Sequence, residues 1–321
     1  MINLGLDAGN GAIKIYGAAG GLEMLSQVAI NGNQRVVSTM GLKSIKAPLN
    51  IKNNHGSFYV GAGSHDYGRP VENLDIERFN GTPEMVALIH GALTQYQRVN
   101  GVFEESINLV VGLPQETLSN ENAETTKTNV KKWLRGRQNW LADGVDFGVD
   151  IADVKISSQV AGGLFDYLLD DAGAFVPARK KAYLGEVGII SVGFGTVELL
   201  VVRDRAPVQR FTTGTASGVR RLLEIMNGQR LYSLGEMDIL LRAGQLDTSE
   251  AMPIWEREVK GVIERQWGPA WRRFAAVLVM GGGSILLPNL HLMFVGKGYQ
   301  PDNPVMAISR GLYKMTNVRR E

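Results

Sequence analysis

The sequence predicts an α/β protein made of two related domains. Short β-rich apolar runs alternate with helical segments along its 321 residues, which is the pattern of α/β folds. Each half also opens with an apolar hairpin that turns at glycines, at residues 4–16 and 188–202. An offset of 184 residues, the separation of Gly9 and Gly193, superposes the two hairpins. Such self-similarity indicates two copies of one structural unit.

The same offset shows where the two hairpins differ. It superposes the following further pairs: Gly11 and Gly195, Asp7 and Ser191, Lys14 and Glu198. The first hairpin therefore has a carboxylate before its glycine turn, where the second has a hydroxyl.

The composition is that of a globular protein and excludes several kinds of site. A charged fraction of 21% and a net charge of +2 require neither nucleic acid nor an anionic membrane as partner. Without cysteine the chain has no disulfide framework, thiolate metal site or cysteine nucleophile, and its four histidines lack metal-binding spacings. No apolar run approaches the roughly 20 residues of a membrane span. The first residues form a strand pattern rather than a signal peptide, so we expect a cytoplasmic protein with no membrane partner.

The first half is predicted to open with a meander of short strands and to continue with alternating helices and strands. Thr82 and Pro83 mark a helix start, because a hydroxyl residue followed by proline suits the first helical turn. Residues 33–80, rich in Gly, Asn, Lys and Pro, are interpreted as a small subdomain. The predicted strands are 2–6, 12–16, 22–30, 58–60, 106–112 and two within 144–156, and the predicted helices are 82–99, 119–135 and 160–169.

The second half repeats this alternation after a predicted exposed loop at 170–181. Its hairpin is followed by an apolar segment at 274–280, which is predicted to be a buried strand ending in glycines. The remaining predicted elements are a strand at 208–211 and helices at 216–226, 234–243, 248–266 and 304–315.

The glycine turn at residues 7–11 is suited to binding phosphate. Glycine permits positive φ and lets successive N–H groups face an anion. Asp7, at the end of a strand, can hold a magnesium ion through its water shell. Lys14, on the returning strand, can reach a phosphate as a point charge. The same residues also fit an ordinary hairpin with a solvated lysine.

Two further glycine segments extend this interpretation. The turn at 193–196 is weak evidence for a phosphate site on its own. Two such hairpins, one in each half, can however face each other and clamp a polyphosphate. The strand at 274–280 runs into three glycines, and ligands of open α/β sheets bind at the carboxyl ends of strands. These glycines would let a base or ribose lie against the backbone. Coincidence is the alternative in a chain with 39 glycines.

The order of these motifs resembles that of the actin-like ATPase superfamily. Its phosphate-1, connect-1, phosphate-2, adenosine and connect-2 motifs are similar to LDAGNGAIKI, the helix start at Gln159, VGFGTVELLVV, LVMGGGS and PVMAISRGL. Within the superfamily the chain looks most like the ParM/StbA plasmid-segregation actins and their archaeal relatives. The resemblance implies an actin-like (ribonuclease H-like) fold with a mixed five-stranded sheet, flanked by helices, in each domain. Domain I would comprise 1–160, with 33–80 as small subdomain and 303–321 as completing helix; domain II would comprise 161–302.

The resemblance also implies a nucleotide in the cleft between the domains and a role for each motif residue. Gln159 would be catalytic with Asp7 and Lys14, and would orient the water that attacks the γ-phosphate. Mg²⁺ would be held by Asp7 through water and weakly by Ser191. ATP or ADP, with GTP as an alternative, would be bound by Asp7, Gly9, Asn10, Gly11, Lys14, Gly193, Phe194, Gly195, Thr196, Gly214, Gly281, Gly282, Gly283 and Ser284.

Ser191 departs from the family, whose second phosphate motif usually begins with aspartate. Serine has no charge and is a weaker ligand, and loss of a carboxylate behind a metal commonly costs about 10–100-fold in affinity or activity. Glu198 is predicted not to replace it, because it lies seven residues further on, with opposite parity in the pleat. We therefore expect nucleotide binding to be retained and hydrolysis to be slower, or to be supported differently.

The function implied by the resemblance is a filament-forming, Mg-dependent ATPase that acts in plasmid DNA segregation. Its partners would be copies of itself and a DNA-binding adaptor protein, without direct nucleic-acid binding. Ala307 and Gly311 would lie where two connecting helices cross. Two alternatives are a slow or non-hydrolysing nucleotide-binding cytoskeletal scaffold and a small-molecule kinase of the same fold, for which Asp66 and Asp75 are candidate bases.

Overall fold

The structure is a computed structural model that describes residues 1–31, 46–72 and 76–318. The predicted small subdomain therefore falls partly outside the described residues, and so does the candidate base Asp75. No helix in the described ranges has the length and apolar character needed to span a membrane.

The first half of the chain forms one sheet, with ten strands in the part that the structure describes. The strands are β1 (Ile2–Ala8), β2 (Ala12–Gly17), β3 (Gly20–Leu25), β4 (Val28–Ile30), β5 (Leu49–Asn53), β6 (Gly56–Val60), β7 (Arg69–Pro70), β8 (Ile107–Leu113), β9 (Gly136–Ala142) and β10 (Val145–Ser158). Five of them, in the order β3-β2-β1-β8-β10, form the mixed sheet that the resemblance implies. The remaining strands extend it in the order β9-β5-β6-β4-β7.

The centre of this sheet is parallel and buried. Strand β8 pairs in parallel with both β1 and β10, while β2 returns antiparallel to β1 through the first glycine turn. Central parallel strands read as continuous apolar runs because both faces are covered, and β8 follows this rule over INLVVGL. The helices of this half are α1 (Pro83–Asn100), α2 (Gln115–Ser119) and α3 (Ala123–Leu134).

The second half contains a helical layer and a smaller sheet of six strands among the described residues. The helices are α4 (Gln159–Leu168), α5 (Pro177–Leu184), α6 (Val219–Met226), α7 (Leu234–Arg242) and α8 (Met252–Trp267). The strands are β11 (Glu186–Val192), β12 (Val197–Arg203), β13 (Ala206–Pro207), β14 (Thr213–Thr215), β15 (Ala276–Met280) and β16 (Gly298–Tyr299). The order β13-β12-β11-β15-β16, with β14 beside β12, repeats the hairpin-plus-parallel-strand arrangement of β2-β1-β8. The predicted α/β fold with two related units is confirmed.

Two helices cross between the sheets. The C-terminal helix α9 (Ala307–Thr316) packs on β1, β2 and β8, and α4 packs on α9 and on β11. At the crossing a Cβ atom on Gly311 would overlap the carbonyl oxygen of Gly162, so both backbones are in direct contact. Ala307 is fully buried at the start of α9, one turn before Gly311.

Four predicted elements are wrong. The single strand predicted at 22–30 is two separate strands, β3 and β4. Residues 145–158 form one long strand rather than two short ones, with a register irregularity between Ile151 and Asp153. Residues 209–211 form a 3-10 turn rather than a strand. The predicted loop at 170–181 runs into helix α5, since Pro177 occupies a first helical turn, where its fixed φ and missing N–H are tolerated.

Candidate functional site

Two pairs of parallel strands, one pair in each sheet, end at one cleft between the sheets. The carboxyl ends of β1, β8, β11 and β15 all reach it, as expected for ligand sites of open α/β sheets. The cleft has a volume of about 530 Å³, within the range of roughly 300–1,000 Å³ that is usual for pockets that bind small molecules.

The first hairpin presents a hydrogen-bonded group of three side chains to this cleft. Asp7 and Lys14 are cross-strand partners in β1 and β2, and Lys14 Nζ lies 3.0 Å from Asp7 Oδ2. Gln159 Nε2 donates to the other oxygen, Asp7 Oδ1, at 2.7 Å. Gln159 reaches this position because β10 pairs with β8 up to Ser158 and α4 begins at the next residue. Asp7 is only 2% exposed, and the charged and amide donors on its two oxygens replace the water that it loses on burial.

Ser26 holds the glycine turn of this hairpin in place. Its Oγ donates to the carbonyl oxygen of Gly9 at 2.7 Å, and its N–H donates to the carbonyl oxygen of Gly11 at 3.0 Å. The carbonyl groups at both ends of the turn are thus satisfied within the protein.

The second glycine turn is supported by the start of helix α6. Gly193 N–H donates to the carbonyl oxygen of Thr196 at 2.8 Å and closes the turn. Val219 N–H and Arg220 N–H donate to the carbonyl oxygens of Gly193 and Phe194, at 3.1 and 2.8 Å. These are helix-terminal N–H groups, which have no partner inside their own helix.

The two turns face each other across the cleft in direct contact. A Cβ atom on Gly11 would lie 2.6 Å from Cβ of Phe194, and one on Gly195 would lie 2.6 Å from Nδ2 of Asn10. Glycine is therefore needed at Gly11 for this approach, whereas at Gly195 the near atom is the end of the Asn10 side chain, which can shift.

The glycine run after β15 forms a third side of the cleft. Gly281 has φ of 92°, and its N–H donates to the carbonyl oxygen of Pro304 at 2.9 Å. Gly283 packs on Val192, where a Cβ atom would lie 2.6 Å from Cγ1. A Cβ atom on Gly282 would meet nothing within 4 Å, so this residue presents bare backbone to open space.

Most of the predicted site residues come together on this cleft, and two do not. Gly214 lies in β14 as the cross-strand partner of Glu198, and the fully buried Ser284 donates its Oγ–H to the carbonyl oxygen of Gly281 at 2.7 Å. The predicted residues that line the cleft are Asp7, Gly9, Asn10, Gly11, Lys14, Gln159, Ser191, Gly193, Phe194, Gly195, Thr196, Gly281, Gly282 and Gly283.

The parity argument about Glu198 was wrong. Ser191 and Glu198 are directly opposed in the β11–β12 ladder, as Asp7 and Lys14 are in the β1–β2 ladder. Opposed residues of an antiparallel pair point to the same face. The alternation of side chains between the two faces of a strand cannot be counted through the four-residue turn, because the turn residues are not part of either strand. Glu198 consequently lines the cleft beside Ser191.

Glu198 is a buried carboxyl group with one hydrogen bond from the other half of the molecule. It is 3% exposed, and its Oε1 accepts from Gln115 N–H at 2.9 Å. Burial raises the pKa of Glu198 from 4.5 to about 7; the Gln115 hydrogen bond opposes this, and the charges of Asp7 and Glu116 reinforce it. Glu198 therefore changes charge near neutral pH.

The structure also shows cleft residues that the sequence did not suggest. Arg78 and Phe79 lie in a 3-10 helix, Ile76–Asn80, and Ile285 follows the glycine run. Glu198 could have been found by pairing the two strands of the hairpin symmetrically about residues 193–196, which places it opposite Ser191. Arg78 follows an irregular stretch and has no pattern that would single it out.

The carboxylates near the cleft do not form a protein-only metal site. Within the described ranges, no group of three or more histidine, aspartate or glutamate side chains is close enough to hold a metal ion. Asp66, a candidate kinase base, lies in the 3-10 helix Ser64–Asp66 and is not part of the cleft lining.

Comparison with known proteins agrees with this geometry. Residues 5–162 match the family model described as the actin-like proteins N-terminal domain. A comparison with curated protein sequences gives no match.

Solved structures match nearly the whole chain. The apo pSK41 ParM protein is 17% identical, with a TM-score of 0.71, over 98% of this chain and 96% of its own. The archaeal actin homologue Ta0583 in complex with ADP is 16% identical, with a TM-score of 0.72, over 98% and 99%. A 15-stranded ParM filament from Clostridium botulinum is 18% identical, with a TM-score of 0.69, over 98% of both chains. At these identities the matches show the fold.

Proposed function

We propose, from the premise that this chain is an actin-like protein, that it binds Mg-ATP or Mg-ADP in the cleft, assembles into filaments and hydrolyses ATP slowly. The observation that carries the proposal is the pair of opposed glycine turns, with Asp7, Lys14 and Gln159 hydrogen-bonded beside them. Further support is that Ta0583 was solved with ADP and that a ParM was solved as a filament.

Each wall of the cleft has a proposed role. Lys14 and the N–H groups of both turns would bind phosphate oxygens, since glycine turns present backbone donors to anions. The bare backbone at Gly282 would accept the adenosine. Gln159, fixed by Asp7, would orient the attacking water, because catalysis of phosphoryl transfer is mainly positioning and charge stabilisation.

Mg²⁺ would be held by Asp7 through water and weakly by Ser191, and would neutralise charge on the phosphates. We propose that Glu198 supplies the carboxylate that Ser191 lacks, from the opposite strand of the same hairpin. Without a metal the pKa of Glu198 is about 7, so at neutral pH Mg²⁺ would have to displace a proton to recruit this carboxylate. Hydrolysis is therefore expected to be slow.

The two halves are proposed to be domain I, residues 1–160 with 303–321, and domain II, residues 161–302, which would rotate about the α4–α9 crossing. The biological role is proposed to be plasmid DNA segregation in the cytoplasm, with a DNA-binding adaptor as partner.

The test of the polymer is light scattering with electron microscopy in ATP, ADP, GTP or no nucleotide, each with Mg²⁺. Filaments that require a nucleoside triphosphate support the proposal. Filaments that form equally without nucleotide would support a scaffold instead, and the absence of filaments with every nucleotide would refute the cytoskeletal role.

The test of slow hydrolysis is phosphate release by wild type and Ser191→Asp. The added carboxylate is expected to raise turnover about tenfold or more. An unchanged rate would show that Ser191 does not limit hydrolysis.

A further inference from the structure

A buried arginine lies against the first glycine turn. Arg78 is 3% exposed and lines the cleft. Its Nη2 donates to the carbonyl oxygen of Ala8 at 2.9 Å, in the segment that carries the predicted phosphate-binding residues. Its Cζ lies 4.8 Å from the ring centroid of Phe79. The guanidinium is thus held beside the phosphate turn rather than extended into solvent.

Arg78 differs in its pairing from the other basic side chains of the cleft. In the described part of the chain, three basic residues line it. Two are neutralised by ion pairs: Lys14 with Asp7 at 3.0 Å, and Arg242 with Asp238 at 3.0 Å and Glu23 at 3.1 Å. Arg78 has no carboxylate oxygen within 4.0 Å among the described residues, and its buried Nε has no hydrogen-bond partner there.

A buried cation without a counter-ion is costly, because it gives up hydration and receives little attraction in return. Burial lowers the pKa of Arg78 to about 10, so the group is still charged at neutral pH; the more distant charges of Asp7 and Glu84 favour that form. Among the described residues the charge of Arg78 is thus unpaired and its Nε has no acceptor, and both suit an anionic ligand in the cleft.

The position of Arg78 indicates which part of a nucleotide it meets. Besides the cleft, Arg78 lines a smaller cavity of about 90 Å³ together with Gly11 and Phe194 of the opposed turns. Among the described residues, the lining of that cavity includes none of the glycine run 281–283. Arg78 therefore lies at the side of the turns remote from the proposed adenosine wall, where a polyphosphate would end.

We propose that Arg78 binds the terminal phosphate of a nucleoside triphosphate and makes the cleft prefer triphosphate to diphosphate. This rests on the proposed nucleotide function. A guanidinium binds phosphate through charge-assisted, often paired, hydrogen bonds. A diphosphate would leave Arg78 as unpaired as it is without ligand, so the interaction favours the triphosphate alone.

The experiment compares the affinities of Mg-ADP and of the non-hydrolysable β,γ-imido analogue of Mg-ATP, by competition with a fluorescent ADP. The variants are Arg78→Gln, which keeps a donor for Ala8 without the charge, and Arg78→Lys, which keeps the charge without the planar fork. Arg220→Gln is the control, because Arg220 lines the smaller cavity but is ion-paired with Glu224 at 2.7 Å. Circular dichroism melting confirms that each variant is folded.

In Arg78→Gln the preference for the triphosphate analogue should fall about tenfold or more, with ADP affinity changed by less than about threefold. Arg78→Lys should lie between Arg78→Gln and wild type, and Arg220→Gln should match wild type. Equal weakening of both ligands, or an unchanged preference, would overturn the role of Arg78. Should Arg78→Gln not fold, the preference in Arg78→Lys decides in the same way. Failure of the wild-type protein to bind either nucleotide would instead overturn the proposed function, and this role with it.

Discussion

Replacement of Glu198 by glutamine should stabilise the protein at neutral and alkaline pH. The carboxyl group is buried, and its Oε1 accepts from Gln115 N–H at 2.9 Å. Glutamine has nearly the same shape and keeps an oxygen to accept this bond. The variant therefore removes the charge and leaves the packing and the contact with Gln115 in place.

The magnitude follows from the pKa of Glu198, which is raised from 4.5 in the unfolded chain to about 7 in the folded protein. Between these values the folded protein binds a proton that the unfolded chain does not, so wild-type stability falls as pH rises through this window. One pKa unit corresponds to about 1.36 kcal/mol, which gives a loss of about 3 kcal/mol that is complete above pH 7. Glu198→Gln should be more stable than wild type by this amount at pH 8 and nearly equal to it at pH 4.5.

The assay is urea denaturation of both proteins across pH 4.5–8 at constant ionic strength. The informative quantity is the difference between their free energies of unfolding at each pH, since other titrating groups cancel in it. Glu121→Gln is a matched control, because Glu121 is an exposed carboxylate that keeps its hydration on folding and, unlike Glu116, does not raise the pKa of Glu198. A difference for Glu198→Gln that is the same at pH 5 and pH 8 would refute the reasoning.

Two further predictions concern glycines. Gly311→Ala should destabilise the protein by at least about 2 kcal/mol in urea denaturation, because the new Cβ meets the carbonyl oxygen of Gly162. Gly261→Ala in α8 is the control, because a Cβ atom there would meet only the end of the flexible Arg265 side chain. Its free energy of unfolding should rise by up to about 1 kcal/mol from helix propensity, and a loss at both sites would contradict this explanation. Gly282→Val should leave the melting temperature within about 2 °C but weaken ATP binding about tenfold or more, since its side chain enters only open space. Gly228→Val, also open but outside the cleft, should bind ATP normally; equal binding by both variants would show that Gly282 does not border the nucleotide.

Several elements could be predicted from the sequence because local pattern and tertiary environment agree. The central strands are apolar runs bounded by glycine turns, and β1, β8, β11 and β15 lie where those runs do. Strand β10 was predicted as two short strands, whereas long-range pairing with β9 carries one strand through Gly148. Residues 209–211 are too short for their pattern to distinguish a strand from a 3-10 turn.

The candidate site was predictable to the extent that its residues lie in contiguous motifs. The glycine turns, Gln159 and the glycine run are such motifs, and the structure gathers them on one cleft. The place of Glu198 depends on ladder register, which parity along the chain does not give across a turn. Arg78 reaches the cleft from a five-residue 3-10 helix, which is too short to show a hydrophobic periodicity in the sequence.

The hydrogen bond from Gln115 to Glu198 joins the two halves of the molecule at a single backbone amide. Gln115 begins α2 directly after β8, whereas Glu198 lies on β12 of the other sheet. Separation of the sheets at the cleft breaks this bond and exposes the amide proton to water. Deuterium uptake at Gln115 thus records each opening of the cleft, and a ligand that holds the halves together slows the exchange of this proton.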